Sequence, residues 1–241
     1  MGACDGLLDL ERLDAANMDD HLPLRQLAWD RYWSEVYRAG NERPGAFTRW
    51  SERILRTSHA RTVVDLGCGP GRDLCFLLTR GFSVVGVDIS SVATGLAAKA
   101  VSRLPPEVAE RGRVVHGELL DFLATLPPGS VDAVHASATY QGLSDDEAVK
   151  VFREIHRVLG PRGLHLWSVR TDRHTGGRRP ASVPPNFAGL GFTVPLRFFA
   201  RDEVERLTAT LFDHLEIVET PEPSSFRIAD RKSIGSGGRP P

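Results

Sequence analysis

The chain has 241 residues, 41% hydrophobic and 25% charged, and a formal net charge of −1. That supplies one substantial core in a single domain, gives no global push toward nucleic acid or an anionic membrane, and includes no apolar run long enough for a spanning helix. Three cysteines without close pairing make neither a disulfide framework nor a zinc site, so no metal is expected. Asp5, Asp9, Glu11 and Asp14 do not fit a secretory leader, and Gly6 stands where a myristoylation signal needs Ser or Thr. The chain is expected to be cytoplasmic. Only Lys99, Lys150 and Lys232 are lysines among 30 basic residues; the arginine excess is read as genome composition, not as a binding surface.

Residues 1–24 read as a polar lead-in. A helix is expected from Arg25 to Arg38, ended by Gly40, and a second after Pro44 with Phe47, Trp50 and Ile54 at helical spacing. Residues 1–60 are thus taken as an N-terminal helical lid segment. From Arg61 onward, strands are expected at Thr62–Leu66, Ser83–Val87, Arg113–His116, Val131–Ala136 and Leu164–Val169. Helices are expected between them at Arg72–Thr79, Val92–Arg103 and Asp145–Leu159. Ser144 and Glu147 have capping-box spacing, and Gly160-Pro161 marks the end of the last helix. A Gly/Pro/Arg-rich stretch, 170–191, reads as a loop over the site. A helix at Asp202–Thr210 and strands at His214–Glu219 and Ser225–Ala229 complete the domain at 61–232, and the tail 233–241 reads as disordered. Strand–helix alternation of this kind predicts an α/β fold: a doubly wound, mostly parallel, seven-stranded sheet covered by helices on both faces.

The strongest local signal is Val63-Val64-Asp65-Leu66-Gly67-Cys68-Gly69-Pro70-Gly71-Arg72-Asp73. A hydrophobic strand ends in an acid, and three glycines turn the chain into a helix whose first N–H groups face a ligand. The second signal is Val84-Val85-Gly86-Val87-Asp88, a carboxylate at the end of the next strand, suited to accept both hydroxyls of a ribose. A dinucleotide fingerprint counted from Gly67 requires glycine where Arg72 stands. Asp65, directly before the glycines, suits a cationic amine better than a pyrophosphate. The pattern therefore points to a nucleoside ligand that carries an ammonium group, as S-adenosylmethionine does.

The stretch from Thr62 to Val169 resembles the cofactor-binding core of the class I S-adenosylmethionine-dependent methyltransferases, in the branch that acts on small molecules. The resemblance rests on Val64–Gly71, Val87-Asp88-Ile89-Ser90, Pro128–Val134 and Glu154–Gly163, in the family's order. It implies the Rossmann-like methyltransferase fold with S-adenosyl-L-methionine as cofactor. Asp65 with Gly67, Cys68, Gly69 and Gly71 would hold the methionine portion, Asp88 the ribose, and Ile89 the adenine. Glu118 and Leu119, or Asp121 in their place, would meet the adenine amino group. Ala136 and Ser137 would pass under the sulfonium and Tyr140 would approach the methyl group. Many small-molecule members carry histidines where Gln141 and Gly142 stand. The resemblance thus names no catalytic base.

Each feature also has a plainer reading. Trp29, Trp33 and Tyr37 fall at i, i+4 and i+8 with Tyr32 beside them, which is the pattern of a helix packed on a domain. The sharper expectation is a lid with Tyr32 and Trp33 lining the acceptor pocket. His135 and His165 sit inside strands and read as core histidines. Arg170, Arg173, Arg178 and Arg179 read as a solvated loop rather than a clamp for an anionic substrate. The function expected is methyl transfer to an O, N, S or C nucleophile of a small molecule. The alternatives are a non-catalytic S-adenosylmethionine-binding module and an NAD(P)-dependent oxidoreductase.

Overall fold

The computed structural model describes residues 22–36, 43–171, 198–221 and 224–233. Expectations for 1–21, for 37–42, for the loop at 172–191 and for the tail beyond 233 lie outside the described residues. Strands Thr62–Leu66 (β1), Ser83–Asp88 (β2), Gly112–His116 (β3), Val131–Ser137 (β4), Leu159–Arg170 (β5), Phe212–Pro221 (β6) and Ser224–Lys232 (β7) form one seven-stranded sheet in the order β3-β2-β1-β4-β5-β7-β6. β1 to β5 run parallel, and β7 is antiparallel to both β5 and β6. The expected doubly wound, mostly parallel sheet is the observed one. From β1 the chain steps outward to β3 and then returns to the far side of β1 as β4. Such a reversal opens a crevice at the carboxyl ends of the strands.

The helices are Leu22–Val36 (α1), Ala46–Thr57 (α2), Arg72–Thr79 (α3), Ser91–Val101 (α4), Pro106–Ala109 (α5), Leu119–Thr125 (α6), Asp145–Val158 (α7) and Arg201–Thr208 (α8). The strands are short apolar runs because both faces of the sheet are covered. Val64, Leu66, Phe122, Phe152, Ile155, Trp167 and Val204 pack on one face with α6, α7 and α8. Phe47, Leu55, Val63, Leu74, Leu77 and Leu166 pack on the other with α2 and α3. α2 had been grouped with the lid, yet Phe47 and Leu55 place it in the core; α1 alone reaches over the crevice.

α7 forms as its pattern dictates. Ala148, Val151, Phe152, Ile155 and Val158 are buried at helical spacing, and Ser144 and Glu147 close a capping box. It ends at Val158, before Gly160-Pro161. Two helices went unread, α5 and α6. Leu119, Phe122 and Leu123 are the buried stripe of α6, and Glu118 is its N-cap, accepting from the Leu120 and Asp121 N–H groups. A glutamate in that role is uncommon beside Ser, Thr, Asp or Asn, so the helix start carried no familiar mark. At the opposite end of the sheet Asp132 Oδ2 accepts from Arg61 N–H, Thr62 N–H and Thr62 Oγ1–H at 2.9, 2.9 and 3.0 Å. The acid of the Pro128–Val134 block thus fixes the start of β1 against β4, far from the crevice. Among the described residues no helix is long and apolar enough to cross a membrane.

Close packing under the glycine loop depends on Gly86 in β2. A Cβ there would lie 2.3 Å from Leu74 Cδ1 and 2.9 Å from Cys68 Cβ. Gly86→Ala is therefore expected to lower stability by about 1–3 kcal/mol through overpacking, read as a lower denaturant midpoint; an unchanged midpoint would show that α3 shifts freely.

Candidate active site

The loop between β1 and α3 folds back over the end of β2. Gly67 and Cys68 N–H donate to Val87 O at 2.8 and 3.0 Å. Gly69 N–H donates to Asp88 Oδ2 and Ser90 N–H to Asp88 Oδ1, both at 2.9 Å. Gly67, Gly69 and Gly71 have φ of +66°, +54° and +84°, values that side chains disfavour. Burial pushes the Asp88 carboxyl up, against the two backbone hydrogen bonds that favour its charge. Each of its oxygens accepts one backbone N–H and keeps a further lone pair.

Beside this loop lies a cleft of about 230 Å³. Its floor is Gly67, Asp88, Ile89, Glu118, Leu119, Ser137, Ala138, Thr139, Gln141, Gly142 and Leu143, and its far end is Arg170. Arg25, Trp29, Tyr32 and Trp33 of α1 form the roof. The roof rings meet edge to face, Trp29–Tyr32 at 5.6 Å and Tyr32–Trp33 at 4.8 Å between centroids. Polar latches hold α1 down at two points. Arg25 Nη2 donates to Glu147 Oε1 at 2.6 Å. Asp30 accepts from Ser90 Oγ–H at 2.6 Å, from Ser91 Oγ–H, and from Val92 N–H at 3.1 Å, placing a carboxylate at the N-terminus of α4. Burial pushes the Asp30 carboxyl up, but these hydrogen bonds outweigh it and hold it below its ordinary value.

Six of the residues assigned to the cofactor line this cleft: Gly67, Asp88, Ile89, Glu118, Leu119 and Ser137, and Tyr32 and Trp33 line it too. The others stand elsewhere, each for a physical reason. Asp65 is 1% exposed and turned away from the cleft. It is the register partner of His135 on β4, and the imidazole Nδ1 lies 2.8 Å from its Oδ1. Burial pushes His135 down, but the Asp65 hydrogen bond and the charges of Asp65 and Asp73 lift it above its usual value. Cys68 is buried against Gly86, and burial pushes its thiol well up. Gly69 is covered by Trp33, whose ring stands 3.1 Å from where a Cβ would be, and Gly71 packs on Ala97 at 3.0 Å in the same sense. Ala136 is fully buried in the sheet.

Tyr140 is the clearest correction. It is fully buried, with its hydroxyl 2.7 Å from His165 Nε2 and its ring against Phe152 and Trp167. Burial pushes His165 down to about 3, so it is neutral, and its Nε2 shares one hydrogen bond with the Tyr140 hydroxyl. The 3₁₀ turn Tyr140–Gly142 thus points its first side chain into the core and its next two residues into the cleft. Arg25, Trp29, Thr139, Gln141 and Arg170 line the cleft without having been singled out for it. Trp29 had a visible signal, its place one helical turn before Trp33. Thr139, whose Oγ1–H donates to Leu66 O at 2.7 Å, had none in the sequence.

Residues 63–163 match the family model of the methyltransferase domain. The chain is 36% identical over 142 residues to the ribosomal RNA small subunit methyltransferase J of Laribacter hongkongensis (strain HLHK9), covering 56% of this chain and 50% of that protein. It is 35% identical over 107 residues to the trans-aconitate 2-methyltransferase of Azoarcus sp. (strain BH72), covering 44% of this chain and 37% of that one. Among solved structures, the glycopeptide N-methyltransferase MtfA complexed with S-adenosyl-L-methionine superposes with a TM-score of 0.61 at 18% identity, covering 82% of this chain and 100% of that one. The chain thus matches half or less of the length of these curated relatives. The family model of the methyltransferase domain thus matches under half of the chain, and the fold is that of the solved methyltransferase.

Two outcomes follow from this geometry. Tyr140→Phe leaves His165 Nε2 buried without its partner and is expected to cost about 1–3 kcal/mol of stability, while S-adenosylhomocysteine affinity, measured by calorimetry, stays within twofold; a large loss of affinity with full stability would return Tyr140 to the cleft. Asp30→Ala removes the latch on α4 and is expected to speed amide hydrogen exchange across 22–36 while β1 and β2 exchange as before. Equal protection of 22–36 in both proteins would show that Arg25 and the aromatics hold α1 unaided.

Proposed function

We propose that the chain transfers a methyl group from S-adenosyl-L-methionine to a nucleophilic atom of a small molecule held under α1. The observation that carries this reading is the joining of two halves in one cleft. The glycine loop and the strand-end carboxylate Asp88 share it with the turn Ala138–Gly142, and the aromatic roof covers it, with Trp33 lying over Gly69. The residues fit the cofactor by their chemistry. Asp88 retains lone pairs for two ribose hydroxyls, Ile89 and Leu119 offer apolar contact to a base, and Glu118 offers carboxylate oxygen to an amino group. Asp65 reaches the cleft only through the loop it lies behind, and its Oδ2 is buried without a partner.

When bound, the cofactor supplies a sulfonium methyl already activated for in-line displacement. The chain's part is then alignment and exclusion of water, which in favourable systems lowers a barrier by about 7–11 kcal/mol. Trp29, Tyr32 and Trp33 close the cleft from above and present π-faces and edges suited to a cation and a flat acceptor. A base is needed only for an acceptor that is neutral before transfer. No histidine lines the cleft among the described residues.

The likeness to a ribosomal RNA methyltransferase supports the domain, and RNA is the second acceptor to be tested. A net charge of −1 and a roof built by the chain itself favour the small molecule. A nicotinamide enzyme is disfavoured by Arg72, and the match to methyltransferases adds to that. Calorimetry is expected to show S-adenosylhomocysteine binding and no heat from NADH. Asp88→Ala is expected to weaken that binding more than tenfold, since each charge-assisted hydrogen bond contributes roughly 1.5–3 kcal/mol. Tight NADH binding without S-adenosylhomocysteine binding would overturn the reading, and methyl transfer to RNA but to no small molecule would replace the acceptor.

A further inference from the structure

Among the described residues, four charged side chains line the cleft: Arg25, Asp88, Glu118 and Arg170. Three are committed. Arg25 is paired with Glu147 at 2.6 Å. Asp88 braces the glycine loop through Gly69 N–H and Ser90 N–H. Glu118 caps α6, accepting from Leu120 N–H at 2.5 Å. Arg170, the last residue of β5, has no carboxylate partner among the described residues. Arg170 is half-buried in the cleft it shares with Trp29 and Tyr32, and its charge is met by no carboxylate among the described residues.

A second donor points the same way. Gln141 is 2% exposed and lines the cleft, and its Nε2 has no hydrogen-bond partner. A buried amide N–H without an acceptor is costly unless a ligand provides one. The two donors line the same cleft. Ala138 N–H donates to Ser168 O at 3.0 Å, so the segment that leads into Gln141 runs beside the strand end that carries Arg170. Arg170 stands away from the nucleoside end. Asp88 closes β2, and β1 and β4 lie between it and β5, three strand spacings or roughly 14 Å across the sheet.

We propose that Arg170 and Gln141 hold a carboxylate of the methyl acceptor, so that the acceptor class is small carboxylic acids, with the body of the molecule against Tyr32 and Trp29. This rests on the methyltransferase reading. Arg170 had been read as part of a solvated loop; its place in the cleft assigns it to specificity. A guanidinium matches a carboxylate in bidentate fashion, and an amide donor in the same cleft fixes which oxygen lies toward the floor. The cofactor's own carboxylate is the other source of the same chemistry, and the experiment separates the two.

Calorimetry on the full chain measures S-adenosylhomocysteine first, then benzoate and fumarate against benzamide and fumaramide, each with and without saturating S-adenosylhomocysteine. The acids are expected to bind at least tenfold more tightly than the amides. Arg170→Gln and Gln141→Leu are each expected to weaken acid binding about tenfold or more while S-adenosylhomocysteine affinity stays within twofold. Arg170→Lys, which keeps the charge and loses the fork, is expected to fall between; it also guards against a fold defect in Arg170→Gln, with melting temperature checked for all three. The proposal is overturned if amides bind as well as acids or if neither acid binds. It is equally overturned if the Arg170 variants lose S-adenosylhomocysteine affinity and keep that for acids, which would assign Arg170 to the cofactor. Failure of S-adenosylhomocysteine to bind the unaltered chain would instead sink the methyltransferase reading, and the arm without it still decides whether the two donors take a carboxylate.

Discussion

Three successive amides of the loop after β1 are turned onto the end of β2, two on Val87 O and one on the Asp88 carboxylate. That arrangement needs left-handed backbone at Gly67 and Gly69, and it brings the loop to rest across the point where the sheet reverses. Everything that forms the cleft is built on it. Thr139 can approach because Gly67 has no Cβ, Trp33 can lie on the loop because Gly69 has none, and α3 can cross α4 because Gly71 has none. Asp88 is therefore a brace before it is a ligand residue. Its two backbone hydrogen bonds fix where its remaining lone pairs point, so a ribose would meet an acceptor that needs no reorganisation.

The parts of the molecule that were legible in the sequence are those where local pattern and tertiary role coincide. β1 and β2 are apolar runs with an acid at or next to their last residue, and α7 carries its cap and its buried stripe in plain view. The glycine loop and Asp88 were found for the same reason: their residue types follow from backbone geometry and one carboxylate. Tyr140 shows the limit. Its neighbours on either side, Thr139 and Gln141, line the cleft, and only the twist of a 3₁₀ turn sends its ring into the core. His165 then keeps it there, from 25 residues along the chain. No spacing rule reports a contact of that kind.

Asp65 failed differently. Its position in the motif is as expected, but the side chain faces along the sheet to His135, a residue dismissed as core. The pairing is set by strand register across β1 and β4, which the sequence does not state. The consequence is that two fully buried ionisable groups lie behind the glycine loop with one orphaned atom each, Asp65 Oδ2 and His135 Nε2. Such a pair holds its geometry by mutual attraction and costs desolvation, so it contributes more to the position of the loop than to net stability.

Glu147 serves two elements with one carboxylate: Oε2 accepts from Ser144 N–H at the start of α7, and Oε1 accepts from Arg25 on the roof. Because the two hydrogen bonds share an anion, the order of α7's first turn and the closed position of α1 are thermodynamically linked. Whatever draws α1 down onto the cleft also firms the exposed beginning of a core helix on the far side of the carboxylate. By reciprocity, a molecule or modification that tightens or loosens residues 144–147 shifts the roof by the same free energy. The capping box thus ties the start of α7 to the roof of the cleft through one carboxylate.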